Sequence, residues 1–176
     1  MTMPTMLSPN DPTNPISSFE VGVITTQGTP AGLCLKFRHF DGSDTVTHWP
    51  LPGCDRLVKA LLEYVEHGCH EQFMFRAKAD PAFVATLPPR HPYHTLLSEI
   101  PAISESELCD LSLATLIKDS NFVDRGSTFV LKLDLANNET KDIYMHEYTA
   151  FSLYGYIVEY IKGFERLSGP TVGGIH

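Results

Sequence analysis

Residues 66–71, EHGCHE, place two histidines and a cysteine within four consecutive positions. Imidazole nitrogen and thiolate sulfur are the ligands that zinc prefers in proteins. A complete tetrahedral site would need a fourth ligand from elsewhere, such as His91 or His94. The candidate metal ligands in this stretch are His67, Cys69 and His70.

The same stretch also fits the end of a helix. Gly68 suits the position just after a helix, and a histidine in the last turn complements the helix dipole. The metalloprotease pattern HExxH begins at His70 and at His146, but its second histidine is missing both times. We therefore predict no catalytic residue and no cofactor. A metal-binding protein or enzyme centred on His67, Cys69 and His70 remains an alternative.

Composition and charge limit the partners of this chain. Its 176 residues carry 21 acidic and 13 basic side chains, for a formal net charge of −8. Such a field repels nucleic-acid phosphates and favours a protein partner with a basic surface. No apolar run approaches the about 20 residues of a membrane span, and the N-terminus lacks the pattern of a signal peptide. We therefore expect a cytoplasmic protein without membrane contact.

An internal repeat organises the chain, because residues 32–67 align without a gap on residues 128–163. Each copy has an apolar strand, a turn, a polar-alternating strand and an amphipathic helix. The turns fall at Asp41-Gly42 and Asn137-Asn138, and both pairs tolerate the positive φ of a two-residue type I′ turn. The helices are predicted over about 54–67 and 148–163.

An earlier strand completes each copy, at residues 19–26 and 109–117. In the second of these, Leu111 and Leu113 alternate as in a strand. The fold class is therefore predicted as α+β, with internally duplicated β-β-β-α units that share one core. The predicted segments are a flexible arm over 1–18, a first repeat over 19–67, an extra strand (70–78), short helix and proline-rich connector over 68–107, a second repeat over 108–165 and a flexible tail over 166–176.

Two stretches of the first copy carry a family resemblance: VGVITTQGTPAGLCLKFRH (21–39) and HWPLPGCDRLVKALLEY (48–64). Residues 19–67 resemble BssS, a family of small enterobacterial biofilm regulators in which a short strand pair leads into an amphipathic helix. The resemblance implies a small bacterial regulator without catalytic residues.

A single-stranded nucleic-acid-binding module is a further alternative. Such modules stack bases on aromatic side chains of an open, basic sheet. Lys36 and Lys132 occupy equivalent strand positions, but the net charge makes nucleic acid an unfavoured partner. The aromatic side chains available for stacking are Phe37, Phe40, Trp49 and Tyr144.

The second helix carries the most suggestive surface. Five of the seven tyrosines lie between positions 144 and 160, and the apolar arc of this helix spans roughly 220°. The helix is therefore either sandwiched inside the protein or available to a partner, with homodimerisation the simplest such use. We predict a non-enzymatic bacterial or phage-type regulatory protein that binds a basic protein. Its candidate contacts are Trp49, Tyr148, Phe151, Tyr154, Tyr156 and Val158.

Overall fold

The structure, a computed structural model, describes residues 14–66, 70–87, 102–125 and 128–168. Two three-stranded antiparallel sheets, β1-β2-β3 (sheet 1) and β4-β5-β6 (sheet 2), are each followed by a long helix. The predicted α+β fold with duplicated β-β-β-α units is confirmed. The elements are β1 Ile16–Thr26, β2 Thr29–His39, β3 Asp44–Pro50, α1 Leu51–Glu66, α2 His70–Ala79, α3 Pro81–Ala85, α4 Glu105–Cys109, β4 Ile117–Arg125, β5 Thr128–Leu135, β6 Thr140–His146 and α5 Glu147–Ser168.

The hairpins β2–β3 and β5–β6 repeat one another in detail but differ from the predicted turn. Each has a three-residue loop in which the third residue alone has positive φ, 89° at Gly42 and 70° at Asn138. The predicted two-residue type I′ turns are therefore wrong. The middle residue stabilises the longer loop, because its side-chain oxygen accepts a backbone N–H two residues on, at 2.8 Å for Asp41 and 2.9 Å for Asn137.

The first strand of the second copy was misplaced at 109–117 and lies at Ile117–Arg125. Both first strands have a register irregularity at the same place, after Ile16 in β1 and after Ile117 in β4. From that point to the hairpin loop the second copy is five residues shorter, so its first strand does not keep the offset of the hairpins, and the alternation of Leu111 and Leu113 placed it too early. Leu111 and Leu113 are consequently exposed rather than part of a strand.

Three other boundaries differ from the predictions. The expected strand at 70–78 is helix α2, because its glutamate, glutamine, methionine, arginine and alanine residues favour a helix over the strand suggested by two phenylalanines. β1 begins at Ile16, inside the predicted arm, and α5 continues to Ser168, inside the predicted tail. The short helix after Asp80 is confirmed as α3, where the Asp80 carboxylate caps the N-terminus.

One hydrophobic core joins the two copies. Helix α1 packs on β2 and β3 of its own copy and also on β4, whereas α5 packs on β5, β6, β1 and β2. The two helices also contact each other. None of the described helices combines the length and the apolar character that a membrane crossing requires. Core side chains from both copies include Leu33, Leu35, Leu57, Leu61, Leu131, Leu133, Leu153 and Ile157.

Candidate interaction surface

Residues 102–116, here called the connector although they only overlap the end of the proline-rich stretch predicted within 68–107, pack on the outer face and the β3 edge of sheet 1. The outer face is the one turned away from α1 and α5. Gly22, Cys34 and His48 lie side by side across this face, because they pair in register on β1, β2 and β3. The connector approaches closely at Gly22, where an added Cβ would lie 2.6 Å from Leu108 Cδ2 and 3.4 Å from Ile103 Cδ1. The glycine therefore makes room for the connector.

Polar contacts fix the connector to sheet 1. Lys36 Nζ lies 3.0 Å from Glu107 Oε1, although the Lys36 side chain is only 9% exposed. Buried His48 has Nε2 2.8 Å from the Glu107 carbonyl oxygen and Nδ1 2.8 Å from Thr115 Oγ1. A carbonyl oxygen can only accept, so Nε2 carries a proton and donates it to the Glu107 carbonyl. The backbone N–H of His48 also donates to the Thr115 carbonyl, at 2.9 Å.

Helix α4 within the connector begins with a reciprocal capping box. The Glu107 backbone N–H donates to Ser104 Oγ at 3.2 Å, and the Ser104 backbone N–H donates to Glu107 Oε1 at 3.1 Å. The Ser104 backbone N–H, followed by Lys36, holds the pKa of Glu107 below its usual value. Glu107 is therefore ionised at neutral pH, as its contact with the lysine ammonium requires.

The other end of the connector is fixed to sheet 2. The backbone N–H of Asn137 donates to the Leu113 carbonyl at 2.9 Å, and that of Ala136 donates to the Leu116 carbonyl at 2.9 Å. An isolated parallel bridge also joins Leu116 to His48. The backbone between α4 and β4 is thus held at both ends.

This fixed backbone presents two leucines to solvent. Leu111 is 48% exposed and Leu113 is 64% exposed. Glu105 and Asp110 are exposed on the same segment. We call these four residues the connector surface. Exposed apolar side chains beside acidic ones are typical of a protein-binding site with a charged rim.

Sequence reasoning missed the connector surface because it assigned Leu111 and Leu113 to a strand. The spacing of Ser104 and Glu107, a serine followed three residues later by glutamate, is a helix-start signal that indicates helix α4, which ends at Cys109, where the predicted strand began.

The predicted partner contacts occupy different environments. Trp49 is fully buried and donates its Nε1–H to Thr47 Oγ1 at 2.7 Å, so its assignment as a partner contact is wrong. Tyr156 is 58% exposed and packs edge-on against Phe19, with ring centroids 5.5 Å apart. Helix α5 contacts strands of both sheets and helices α1 and α2, while Tyr156 on the same helix stays exposed. The half-buried candidates are Tyr148, Phe151, Tyr154 and Val158.

The candidate metal ligands lie in or directly beside a gap in the described residues. His67 and Cys69 lie outside the described residues, and so does the side chain of His70. Within residues 14–66, 70–87, 102–125 and 128–168, no group of three histidine, cysteine, aspartate or glutamate side chains could hold a metal ion.

A nucleophilic cysteine is not formed by the buried thiols that the structure describes. Burial raises the pKa of Cys34 and of Cys54 to about 11, so both remain protonated at neutral pH. His48 pairs with Cys34 across the strands, but both of its ring nitrogens are engaged by the connector.

The outer and inner faces of sheet 1 do not offer the aromatic platform of a nucleic-acid-binding module. Phe37 and Trp49 are fully buried, and Tyr144 on sheet 2 is also buried. Phe40 is exposed, but it lies in the hairpin loop. Lys36 is buried against Glu107 rather than open to a phosphate.

No protein-family model matches this sequence, and no curated protein or solved structure matches it significantly. The resemblance of residues 19–67 to the BssS family therefore stays a prediction.

Replacing Gly22 by valine tests the contact between the connector and sheet 1. Valine already occupies the equivalent position of sheet 2, Val123. In sheet 1 its side chain would displace Leu108, at a cost of about 1–3 kcal/mol for overpacking. We expect the His48 amide, which donates to Thr115, to exchange faster in the Gly22→Val variant. Unchanged His48 exchange in a folded variant would show that the connector tolerates the added side chain in place.

Proposed function

We propose that this chain is a non-enzymatic regulatory protein, of the bacterial or phage type, that acts by binding another protein with a basic surface through the connector surface. The observation that carries the proposal is the exposure of Leu111 and Leu113 on a backbone that is hydrogen-bonded at both ends. A fixed backbone loses little conformational entropy on binding, so more of the contact energy appears as affinity.

The chemistry of the partner follows from the residues around the leucines. Burial of apolar surface contributes about 25 cal/mol per Å², so the two leucines would stabilise a complex most when they enter an apolar pocket of the partner. Glu105 and Asp110 precede them on the same exposed segment, and carboxylates near an apolar contact favour lysine or arginine on the partner. Two copies of the connector surface would bring like charges together, which favours a different protein over self-association through this surface.

The double substitution Leu111→Ser and Leu113→Ser should abolish partner capture while leaving the fold intact. Surface substitutions of this kind usually change stability by less than about 0.5 kcal/mol. We expect affinity purification from the native host to recover a basic protein with the wild-type chain and to lose it with the double variant. Capture should also weaken as salt increases, because the rim contacts are charged.

A control variant removes an apolar side chain elsewhere that is more exposed than either leucine. Phe75 on α2 is 77% exposed, and Phe75→Ser should leave capture unchanged. Capture that survives the double leucine variant but fails with Phe75→Ser would move the binding site to α2. Loss in Tyr156→Ser alone would move it to α5, and a doubled mass in light scattering would identify the partner as a second copy of this chain.

A further inference from the structure

A buried histidine fastens the start of the fold to the β2–β3 hairpin. His39 is about 1% exposed, with Nδ1 3.1 Å from the Asn14 carbonyl oxygen and Nε2 2.7 Å from Thr45 Oγ1. Because the carbonyl only accepts, Nδ1 carries the proton and Nε2 accepts from the Thr45 hydroxyl. The buried Asn14 side chain also bonds the hairpin, accepting the Asp41 backbone N–H at 3.3 Å. The neutral imidazole therefore satisfies both neighbours.

The second copy makes the same attachment without a titratable group. In the first copy the Phe40 backbone N–H donates to the Pro15 carbonyl at 3.0 Å, and in the second the Ala136 N–H donates to the Leu116 carbonyl at 2.9 Å. The residue that corresponds to His39 is the buried Leu135. An apolar residue is thus sufficient for this backbone contact, whereas the histidine of the first copy is titratable.

The charged groups around His39 do not offset the effect of burial on the pKa of its ring. Asp41 and Asp44 of the hairpin favour the protonated ring, whereas Lys141 of β6 opposes it. Burial is the largest influence, and it lowers the pKa of His39 below its ordinary value. Asp41 is also engaged by Ser43, whose backbone N–H and hydroxyl donate to Oδ1 at 2.8 and 2.6 Å.

We propose that His39 is a proton-sensitive latch: in mildly acidic solution its ring takes up a proton and the segment 14–17 detaches from the β2–β3 hairpin. A proton on Nε2 turns the acceptor of the Thr45 hydroxyl into a donor, so that hydroxyl must reorient. Detachment also returns the charged ring to water, which removes the cost of a buried charge. The latch is independent of the proposed partner.

The direction in which pH changes the attachment of segment 14–17 follows from the lowered pKa of His39. A histidine that resists protonation in the attached state contributes its full stabilisation above the free-histidine pKa of about 6.5. That stabilisation is lost as the pH falls below about 6.5, because protons then bind preferentially to the detached state. Attachment should therefore weaken between about pH 7.5 and about pH 5.5.

Amide hydrogen exchange of the wild-type chain tests the latch with an internal control. Protection of the Phe40 amide, corrected for intrinsic exchange, should fall about threefold to tenfold between those two pH values. Protection of the Ala136 amide, its counterpart beside Leu135, should stay constant. Equal behaviour of the two amides, whether both fall or both stay constant, would overturn the proposal.

The variant His39→Leu places the residue of the second copy at the latch. Its Phe40 amide should lose the pH dependence and follow Ala136 throughout. A pH-dependent Phe40 amide that persists in a folded His39→Leu protein would assign the effect to another group. Should the variant fail to fold, the two wild-type amides still decide the question.

Discussion

Replacing Trp49 by alanine should lower the free energy of unfolding by about 3–5 kcal/mol, the usual cost of truncating a large buried aromatic side chain. Trp49 is fully buried on β3, paired with Leu33 of β2, and its indole N–H bonds Thr47. The substitution leaves a cavity in the core shared by both copies and removes the N–H donor to Thr47 Oγ1, whose hydroxyl still donates to the Leu35 carbonyl at 3.1 Å. Urea denaturation followed by circular dichroism measures the loss.

The comparison variant for Trp49 is Tyr156→Ala, which removes an aromatic side chain that is 58% exposed. Its expected cost is below about 1 kcal/mol, because little apolar surface returns to water. A Trp49→Ala protein that is as stable as the wild type but fails to bind its partner would restore tryptophan as a partner contact. It would also contradict the packing of β3 described above.

Replacing Gly32 by alanine should cost about 3 kcal/mol or prevent folding, although it adds one methyl group. The new Cβ would overlap the Trp49 carbonyl oxygen and lie 3.1 Å from the Trp49 carbonyl carbon and 3.3 Å from Pro50 Cα. All three are backbone atoms at the end of β3, so no side-chain rotation relieves the overlap. The strand pair β2–β3 must separate locally.

Gly155→Ala is the matched control for Gly32→Ala. Gly155 lies within α5, and a Cβ there would meet nothing within 4 Å. Alanine is favoured over glycine inside a helix by up to about 1 kcal/mol, so this variant should gain stability. Thermal melts of the two variants should therefore shift in opposite directions. A neutral Gly32→Ala would show that β3 lies further from β2 at this point.

The duplicated architecture could be predicted because it depends on local signals that occur twice. Apolar alternation, a turn pair with Gly42 or Asn138, and an amphipathic helix follow one another in both copies. Because the same order of signals occurs in both copies, the two copies together support the β-β-β-α unit better than either copy alone. The loop length could not be predicted in the same way, because the same residues suit a two-residue and a three-residue turn.

The burial or exposure of individual side chains, in contrast, could not be predicted, because it depends on tertiary contacts that the sequence does not show. Trp49 alternates with polar residues on β3, yet connector and core together bury both faces of that strand pair. The alternation of Leu111 and Leu113 suggests a strand, but the capping of α4 and the hydrogen bond from Asn137 to Leu113 hold this segment in an irregular conformation. Of the two histidines that have no counterpart in the second copy, His48 binds the connector and His39 binds Asn14 just before β1.

Site-specific photo-crosslinking in the native host tests the central claim most directly. A photo-reactive amino acid would replace Leu111 in one chain, Tyr156 in a second and Phe75 in a third, since all three positions are exposed. We predict a covalent adduct with a basic protein from position 111 and none of that adduct from positions 75 and 156. The same adduct from position 75 or 156, with none from position 111, would contradict binding through the connector surface.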